Sequence, residues 1–263
     1  MITIQKYVRP QSLEEAYQLN QNRRSRIIAG MLWTKMSSGA VNTAIDLCDL
    51  GLDTIEETDK QFSIGAMVTL RQIEQHEGLN AYTGGKAAAA VKDIIGVQFR
   101  NLATVGGSIW GRFGFSDVLT LFLAMDSYVE LYKGGIIPLA QFASMPYDRD
   151  LLVRLIVKKT PGAFSYQAMR AQRTDFPVLT CAVSRLDGQY RAAIGARPGR
   201  AMLIKDEEGL LTGGINEESA KAFAEYAAGK VPTGSNLRGS AAYRTHLTKV
   251  LVERGALELG GNA

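Results

Sequence analysis

The chain holds only two cysteines, Cys48 and Cys181, and two histidines, His76 and His246, in 263 residues. Disulfide frameworks, structural zinc cages and cysteine-ligated iron–sulfur clusters draw on larger and more closely spaced sets of these residues, so the counts argue against all three. Any iron–sulfur chemistry then belongs to another subunit. The histidines stand in predicted helices beside polar residues, and neither H-E-x-x-H nor G-x-S-x-G occurs; both read as surface residues. No two of the 27 glycines lie two positions apart, which removes the dinucleotide fingerprint G-x-G-x-x-G, and G-x-x-x-x-G-K-[ST] is also missing. No apolar run approaches the ~18 residues of a membrane helix. The start, Met1 to Lys6, lacks the layout of a signal peptide, so a cytoplasmic location is the default expectation. Charge of one sign is missing too: 30 Lys+Arg against 26 Asp+Glu are scattered, with no block suited to nucleic acid.

What remains is 46% hydrophobic and 21% charged, the balance of a globular chain with a real core, in one large or two small domains. Ser12 and Glu15 have capping-box spacing and predict a helix from Ser12 to about Asn20. Ser25 to Gly30 reads as a short strand that runs into its closing glycine, with a second strand at Ala44 to Leu47, making an α/β unit of about residues 1–55. Thr69 with Gln72 opens a helix, and the alanines from Ala87 to Ala90 predict another over Lys86 to Ile95. Ser116-Asp117 marks a further helix start, and strands are expected at Tyr128 to Leu131 and Leu151 to Val157. Lys158 to Gly162 combines charge, proline and glycine and is the candidate domain boundary. Beyond it, Asp187-Gly188 predicts a type I′ hairpin. Asn216 to Ala228 with Gly229, and Ser240 to Arg254 with Gly255, read as capped helices.

Two segments place glycine with small or hydroxyl neighbours after an apolar run, where backbone N–H groups can converge on an anion: Ile27 to Lys35, and Ala103 to Ser108. On the residues alone, an ordinary turn is the stronger reading of Gly106-Gly107.

From Tyr7, Arg9-Pro10 and Ser12 to Ala16 at one end to Leu237 to Arg244 at the other, the chain resembles the flavin-binding subunit of the xanthine dehydrogenase family of molybdenum hydroxylases. The sharpest part is Arg100-Asn101-Leu102-Ala103-Thr104-Val105-Gly106-Gly107-Ser108-Ile109, which is similar to R-N-x-A-T-[VI]-G-G-N-[IL], with Asp117 nine positions after Ser108 as the family's aspartate is. The resemblance implies an α+β chain: a two-subdomain FAD-binding fold of the type shared with vanillyl-alcohol oxidase-like flavoproteins, over 1–158 with subdomains of about 1–55 and 56–158. A small C-terminal α+β domain with an antiparallel sheet follows over 162–258. It further implies non-covalent FAD in a cleft, its pyrophosphate held by the backbone of Ile28, Ala29, Gly30, Met31, Leu32, Trp33, Thr34 and Lys35 and of Thr104, Val105, Gly106, Gly107 and Ser108. Asp117 would reach ribityl or adenosine hydroxyls or simply cap a helix; Ile94 would lie against the flavin ring or in ordinary core. Leu152 and Arg170 match positions that approach the cofactor from the C-terminal side, Arg170 being otherwise a solvated charge.

The chain departs from the family where the first loop, A-G-G-[TS], becomes Ala29-Gly30-Met31-Leu32, and where Ser108 replaces Asn. A methionine forced to positive φ is strained by about 1–2 kcal/mol, and Thr34 and Lys35 are candidates to compensate for the lost hydroxyl. The implied activity is electron transfer from the clusters of an iron–sulfur subunit through FAD to NAD⁺, beside a molybdopterin-binding subunit that oxidises the substrate, with no metal, nucleic acid or membrane bound by this chain. The rivals are a stand-alone FAD oxidoreductase of related fold and a flavin-free scaffold subunit.

Overall fold

Three sheets follow one another along the chain in the computed structural model, which describes residues 2–261. The first is parallel, in the order β1-β3-β2, from β1 (Ile2–Val8), β2 (Ser25–Ile28) and β3 (Gly39–Asp46), with α1 (Leu13–Asn20) crossing between β1 and β2. Ser12 caps α1 as its spacing predicts, its Oγ accepting the Glu15 amide at 3.1 Å, and Ala16 packs with Ile45 and Leu47. β1 has no counterpart in the sequence patterning, because it is exposed along nearly its whole length and carries no alternation.

The second sheet is antiparallel, in the order β4-β5-β8-β6-β7: β4 (Ile55–Glu57), β5 (Gln61–Gly65), β6 (Ser127–Leu131), β7 (Gly135–Pro138) and β8 (Leu152–Lys158). Between β5 and β6 run short helices: α2 (Leu70–Gln75), α3 (Glu77–Thr83), α4 (Lys86–Val91), α5 (Val97–Arg100), α6 (Val105–Gly111) and α7 (Asp117–Leu123). The capping box of Thr69 and Gln72 on α2 is present as expected. The helix expected over Lys86 to Ile95 stops at Val91, and the backbone then turns through a positive φ of 52° at Ile95. The stretch expected as a glycine loop is the first turn of α6, capped by Thr104.

The third sheet, β12-β11-β10-β9, joins β9 (Gly162–Arg170), β10 (Pro177–Leu186), β11 (Gln189–Gly195) and β12 (Met202–Lys205) in antiparallel register. Asp187 and Gly188 both take positive φ, 47° and 77°, which is the I′ turn their sequence demands. After a further helix, α8 (Leu139–Ser144), in the second unit, two long ones cover the third sheet, α9 (Glu217–Lys230) and α10 (Ala241–Leu259). Asn216 and Ser240 cap them as expected, but neither Gly229 nor Gly255 ends its helix. Gly255 sits in mid-helix for a packing reason: a Cβ there would stand 2.6 Å from Val183 Cγ2 on β10, so its lack of a side chain lets α10 settle onto the sheet.

One hydrophobic cluster spans the candidate boundary, joining Phe62, Ile64 and Val129 of the second sheet to Phe164, Ala182 and Ala193 of the third. Helix α7 lies within it, all seven residues buried. Two polar ties pin it to β10: Thr120 and Thr180 share a hydrogen bond of 2.9 Å, and Ser184 Oγ donates to the Ala124 carbonyl.

The glycine inside α10 and the one in the last turn of α9 predict opposite results. Gly255→Ala should destabilise by about 1–3 kcal/mol through overpacking. Gly229→Ala, exposed with nothing near the new Cβ, should stabilise by about 0.5–1 kcal/mol through helix propensity. Urea denaturation of the two variants checks the signs.

Candidate cofactor cleft

A cleft of about 1070 Å³ opens between the first unit, the helices that follow Gly65, and the segment entering β10. Its floor is where two backbones cross. A Cβ on Gly30 would lie 1.9 Å from the Leu102 carbonyl oxygen, so only glycine fits there. The next residue, Met31, holds a left-handed φ of 56°, the conformation that the family's second glycine would take without strain. Beyond it the chain makes one 3-10 turn, Thr34–Met36, tied back by the Lys35 amide to the Met31 carbonyl at 2.9 Å.

The two glycine-bearing segments differ in what their amides are doing. In the second, Val105 N–H donates to Val68 O and Gly106 N–H to Ala66 O, both at 2.8 Å. Gly107 N–H donates to Thr104 Oγ1 at 3.0 Å and Ser108 N–H to Thr104 O at 3.1 Å. All four are committed inside the protein. Gly106 is needed for this seating, since a Cβ would come within 2.5 Å of Ala66 O. In the first segment, Met31, Leu32, Trp33 and Thr34 all line the cleft, and none of their amides is engaged with another backbone or side-chain acceptor among the described residues. The free donors of the cleft therefore sit in the first loop, supplemented by the Thr104 hydroxyl, since Ser108 Oγ donates to the Thr104 carbonyl at 3.0 Å.

Of the residues named from sequence, Ile28, Ala29, Gly30, Met31, Leu32, Trp33, Thr34, Ile94, Thr104, Gly106, Gly107, Ser108, Asp117, Leu152 and Arg170 border this one space. Two are placed elsewhere. Lys35 is exposed outside the cleft lining, because the 3-10 turn carries it away. Val105 is buried in the core beneath α6. His76 is a helix cap, its Nδ1 accepting the Leu79 amide at 3.0 Å, and His246 is exposed; neither borders the cleft. Unanticipated are the aromatic residues of one wall, Phe99, Phe113, Phe115, Phe176 and Trp110, and Arg149. The guanidinium of Arg149 holds the carbonyls of Asn20 and Asn22 at 2.9 Å and Arg23 at 2.8 Å, fastening the first unit to the second. Phe113-Gly114-Phe115 offered an aromatic pair around a glycine as the one local signal, but their convergence with Phe176 is a tertiary fact.

Asp117 and Arg170 form a buried ion pair at 2.5 Å, with side chains 5% and 10% exposed, and Tyr166 donates its hydroxyl to the same carboxylate oxygen at 2.5 Å. The triad ties the first turn of α7 to β9. Burial pushes the Asp117 carboxyl up to about 6, while the charge of Arg170 and the Tyr166 hydroxyl pull the other way. At neutral pH the group is therefore still largely ionised. Among the described residues no group of three His, Cys, Asp or Glu side chains could hold a metal ion, and no helix is long and apolar enough to cross a membrane.

Asp117→Asn should cost about 3–5 kcal/mol at pH 7, because it leaves the Arg170 guanidinium buried without its counter-charge. The folded-state carboxyl binds its proton more tightly than an unfolded one titrating near 3.8, so protonation as pH falls through about 6 favours the folded chain. The stability margin of wild type over Asp117→Asn should therefore widen from pH 7 to pH 5 in urea titrations; a narrowing margin refutes the raised value.

Comparison with known proteins fits this geometry. Residues 2–159 match the family described as the FAD binding domain in molybdopterin dehydrogenase, and residues 164–259 match the CO dehydrogenase flavoprotein C-terminal domain. The chain is 27% identical over 258 residues to "Uncharacterized protein YgfM" of Escherichia coli K12, covering 95% of this chain and 94% of that one. It is 26% identical over 277 residues to the nicotine 6-hydroxylase medium subunit of Paenarthrobacter nicotinovorans, covering 97% of each. In fold it superposes on a chain of the reconstituted CO dehydrogenase from Oligotropha carboxidovorans with a TM-score of 0.87, at 21% identity and 99% coverage of both. The two family matches together span nearly the whole chain, which belongs to the family of FAD-binding subunits of molybdenum hydroxylases.

Proposed function

We propose that this chain binds FAD non-covalently in the cleft and serves as the electron-transfer subunit of a molybdenum hydroxylase complex. The observation that carries the reading is the uncommitted row of amides from Met31 to Thr34, set beside the Gly30–Leu102 crossing in a space of about 1070 Å³. The residues fit the group: a cradle that a Cβ would fill, free donors for a pyrophosphate, and apolar Ile94 and Leu152 for a flat ring. Bound FAD supplies the exchange between one-electron and two-electron steps. The chain's own part is to bind, orient and shield.

In this reading the amides of Met31, Leu32, Trp33 and Thr34 hold the pyrophosphate, aided by the Thr104 hydroxyl, while Gly106 acts by letting α6 pack close and Gly107 and Ser108 border the cofactor. Asp117 and Arg170 set the position of the C-terminal wall and border the cofactor. Relatives named as the medium subunit of a hydroxylase and as a FAD-binding subunit of a xanthine dehydrogenase support a complex with other chains. We assign the iron–sulfur and molybdopterin roles to those partners, and take NAD⁺ as the acceptor to be tested first. The domain boundary is drawn between 158 and 162, and the free, exposed Cys48 suits a reducing cytoplasm.

The purified wild type, reconstituted with FAD, should show a flavin absorption spectrum and release intact FAD on denaturation. Gly30→Val should lose it through the clash with Leu102, with the melting temperature of the apo forms compared to separate cofactor loss from misfolding. A wild type that takes up no flavin overturns the reading and leaves the scaffold role. Electron acceptance is read separately: reduced holo-protein mixed with NAD⁺ should form NADH within the time of turnover, and an unreactive flavin excludes NAD⁺ as the acceptor.

A further inference from the structure

Trp33 follows the left-handed Met31 and ends in a nest of phenylalanine rings. Its ring centroid lies 6.3 Å from Phe99, 6.5 Å from Phe113 and 5.5 Å from both Phe115 and Phe176. The phenylalanines support one another: Phe113 and Phe115 stack with planes 3° apart at 5.2 Å, and Phe115 meets Phe176 edge-on at 4.6 Å. Arg238 closes the far side, its guanidinium 4.7 Å from the Phe176 centroid. The rings come from four separate segments, and Gly114 makes the pair on either side of it possible. Its carbonyl accepts the Ala196 amide at 2.5 Å, and a Cβ on it would lie 2.2 Å from the Pro198 oxygen, so this short segment is locked onto the C-terminal domain.

A cluster of this size inside a core would be fully covered, yet Trp33 remains 37% exposed and Phe113 39% exposed, and all five rings border the cleft. The cluster is thus an aromatic wall left partly uncovered beside the cleft, and its tryptophan belongs to the same row of free amides that the proposed function assigns to a pyrophosphate. A planar heterocycle joined to that pyrophosphate through one sugar or sugar-alcohol unit can reach a ring so close in the chain. Base–aromatic stacking is tolerant of which heterocycle is offered, because it uses the π-face alone.

We propose that Trp33, backed by Phe99, Phe113, Phe115 and Phe176, is the stacking platform for one of the two planar heterocycles of the dinucleotide, and so a specificity-determining residue of the cleft. This rests on the FAD reading and adds to it that the residue following the altered Met31-Leu32 pair is a binding device: what the loop lacks in hydroxyl contacts, Trp33 supplies in stacking. The ring is either adenine or isoalloxazine, and the two separate experimentally.

The test is calorimetric binding of FAD, ADP and FMN to the flavin-free full chain and to Trp33→Leu and Trp33→Phe. Leucine keeps apolar bulk and removes the π-face, so a packing role alone leaves affinity unchanged. Stacking predicts that Trp33→Leu weakens FAD about 5- to 150-fold, the worth of one base–aromatic stack. It also predicts a matching loss for only one half, ADP if the platform takes adenine or FMN if it takes isoalloxazine, with Trp33→Phe recovering most of it. Unchanged FAD affinity in Trp33→Leu, or equal losses for both halves, overturns the platform. Wild type that binds no FAD overturns the flavin reading itself, a result distinct from either. Thermal melts of the apo variants confirm that the loop and fold persist; should Trp33→Leu fail to fold, the smaller change in Trp33→Phe against wild type, again confined to one half, decides the same question.

Discussion

Helix α7 is covered on every side, and a short helix can only be so buried if two layers close over it at once. The helices α4, α6 and α8 on one side and the C-terminal sheet on the other do this, within one apolar cluster that also takes in the second sheet. Burial of the helix brings its first turn into the interior, and with it a carboxylate that must find a partner or be expelled. Arg170 and Tyr166, both on β9, meet that need. The position of β9, and hence of the segment running from Arg170 to Phe176 along the cleft wall, follows from the requirement to satisfy one buried charge.

The cleft's two glycine segments divide the work that the sequence pattern suggests they share. Hydrogen bonds to Ala66 and Val68 make α6 an extension of the turn after β5, so Gly106 serves packing. The first loop has no such anchoring beyond the Gly30 crossing and the single 3-10 turn, and its amides stay available. Holding Met31 at positive φ costs about 1 kcal/mol or more, a strain that the flanking crossing imposes and that propensity alone would never choose.

Elements with a local signal were legible in the sequence. Caps at Ser12, Thr69, Ser116, Asn216 and Ser240, and the Asp187-Gly188 turn, are each decided by one or two neighbouring side chains, and each is where its residues put it. Helix ends at Gly229 and Gly255 were misread because glycine is ambiguous: the same missing side chain that frees a cap also lets a helix lie against Val183, and only the sheet decides which. Strand β1 gave no pattern because it has no buried face to pattern against. Within the cleft, the motif located the loops and Asp117, but the exposure of Lys35 and the burial of Val105 depend on turn geometry two residues away. The aromatic wall was invisible because its rings converge from positions 33, 99, 113, 115 and 176.

The apolar cluster that crosses from residue 157 to residue 164 makes the sequence boundary a poor guide to mechanical independence. A protease nick between Lys158 and Gly162 would cut a connection without dividing a core, so the second and third sheets must unfold as one cooperative unit. The first sheet is different: its buried contacts are fewer, one small cluster of Ile28, Val41 and Ala44 and a second that it shares with Leu151 and Val153 of the second unit, and Arg149 with its carbonyl partners adds to that seam. Opening by local unfolding therefore begins on the side that carries the free amides, and the exchange of whatever the cleft holds is governed by the lifetime of that smaller unit, while the larger one stays closed.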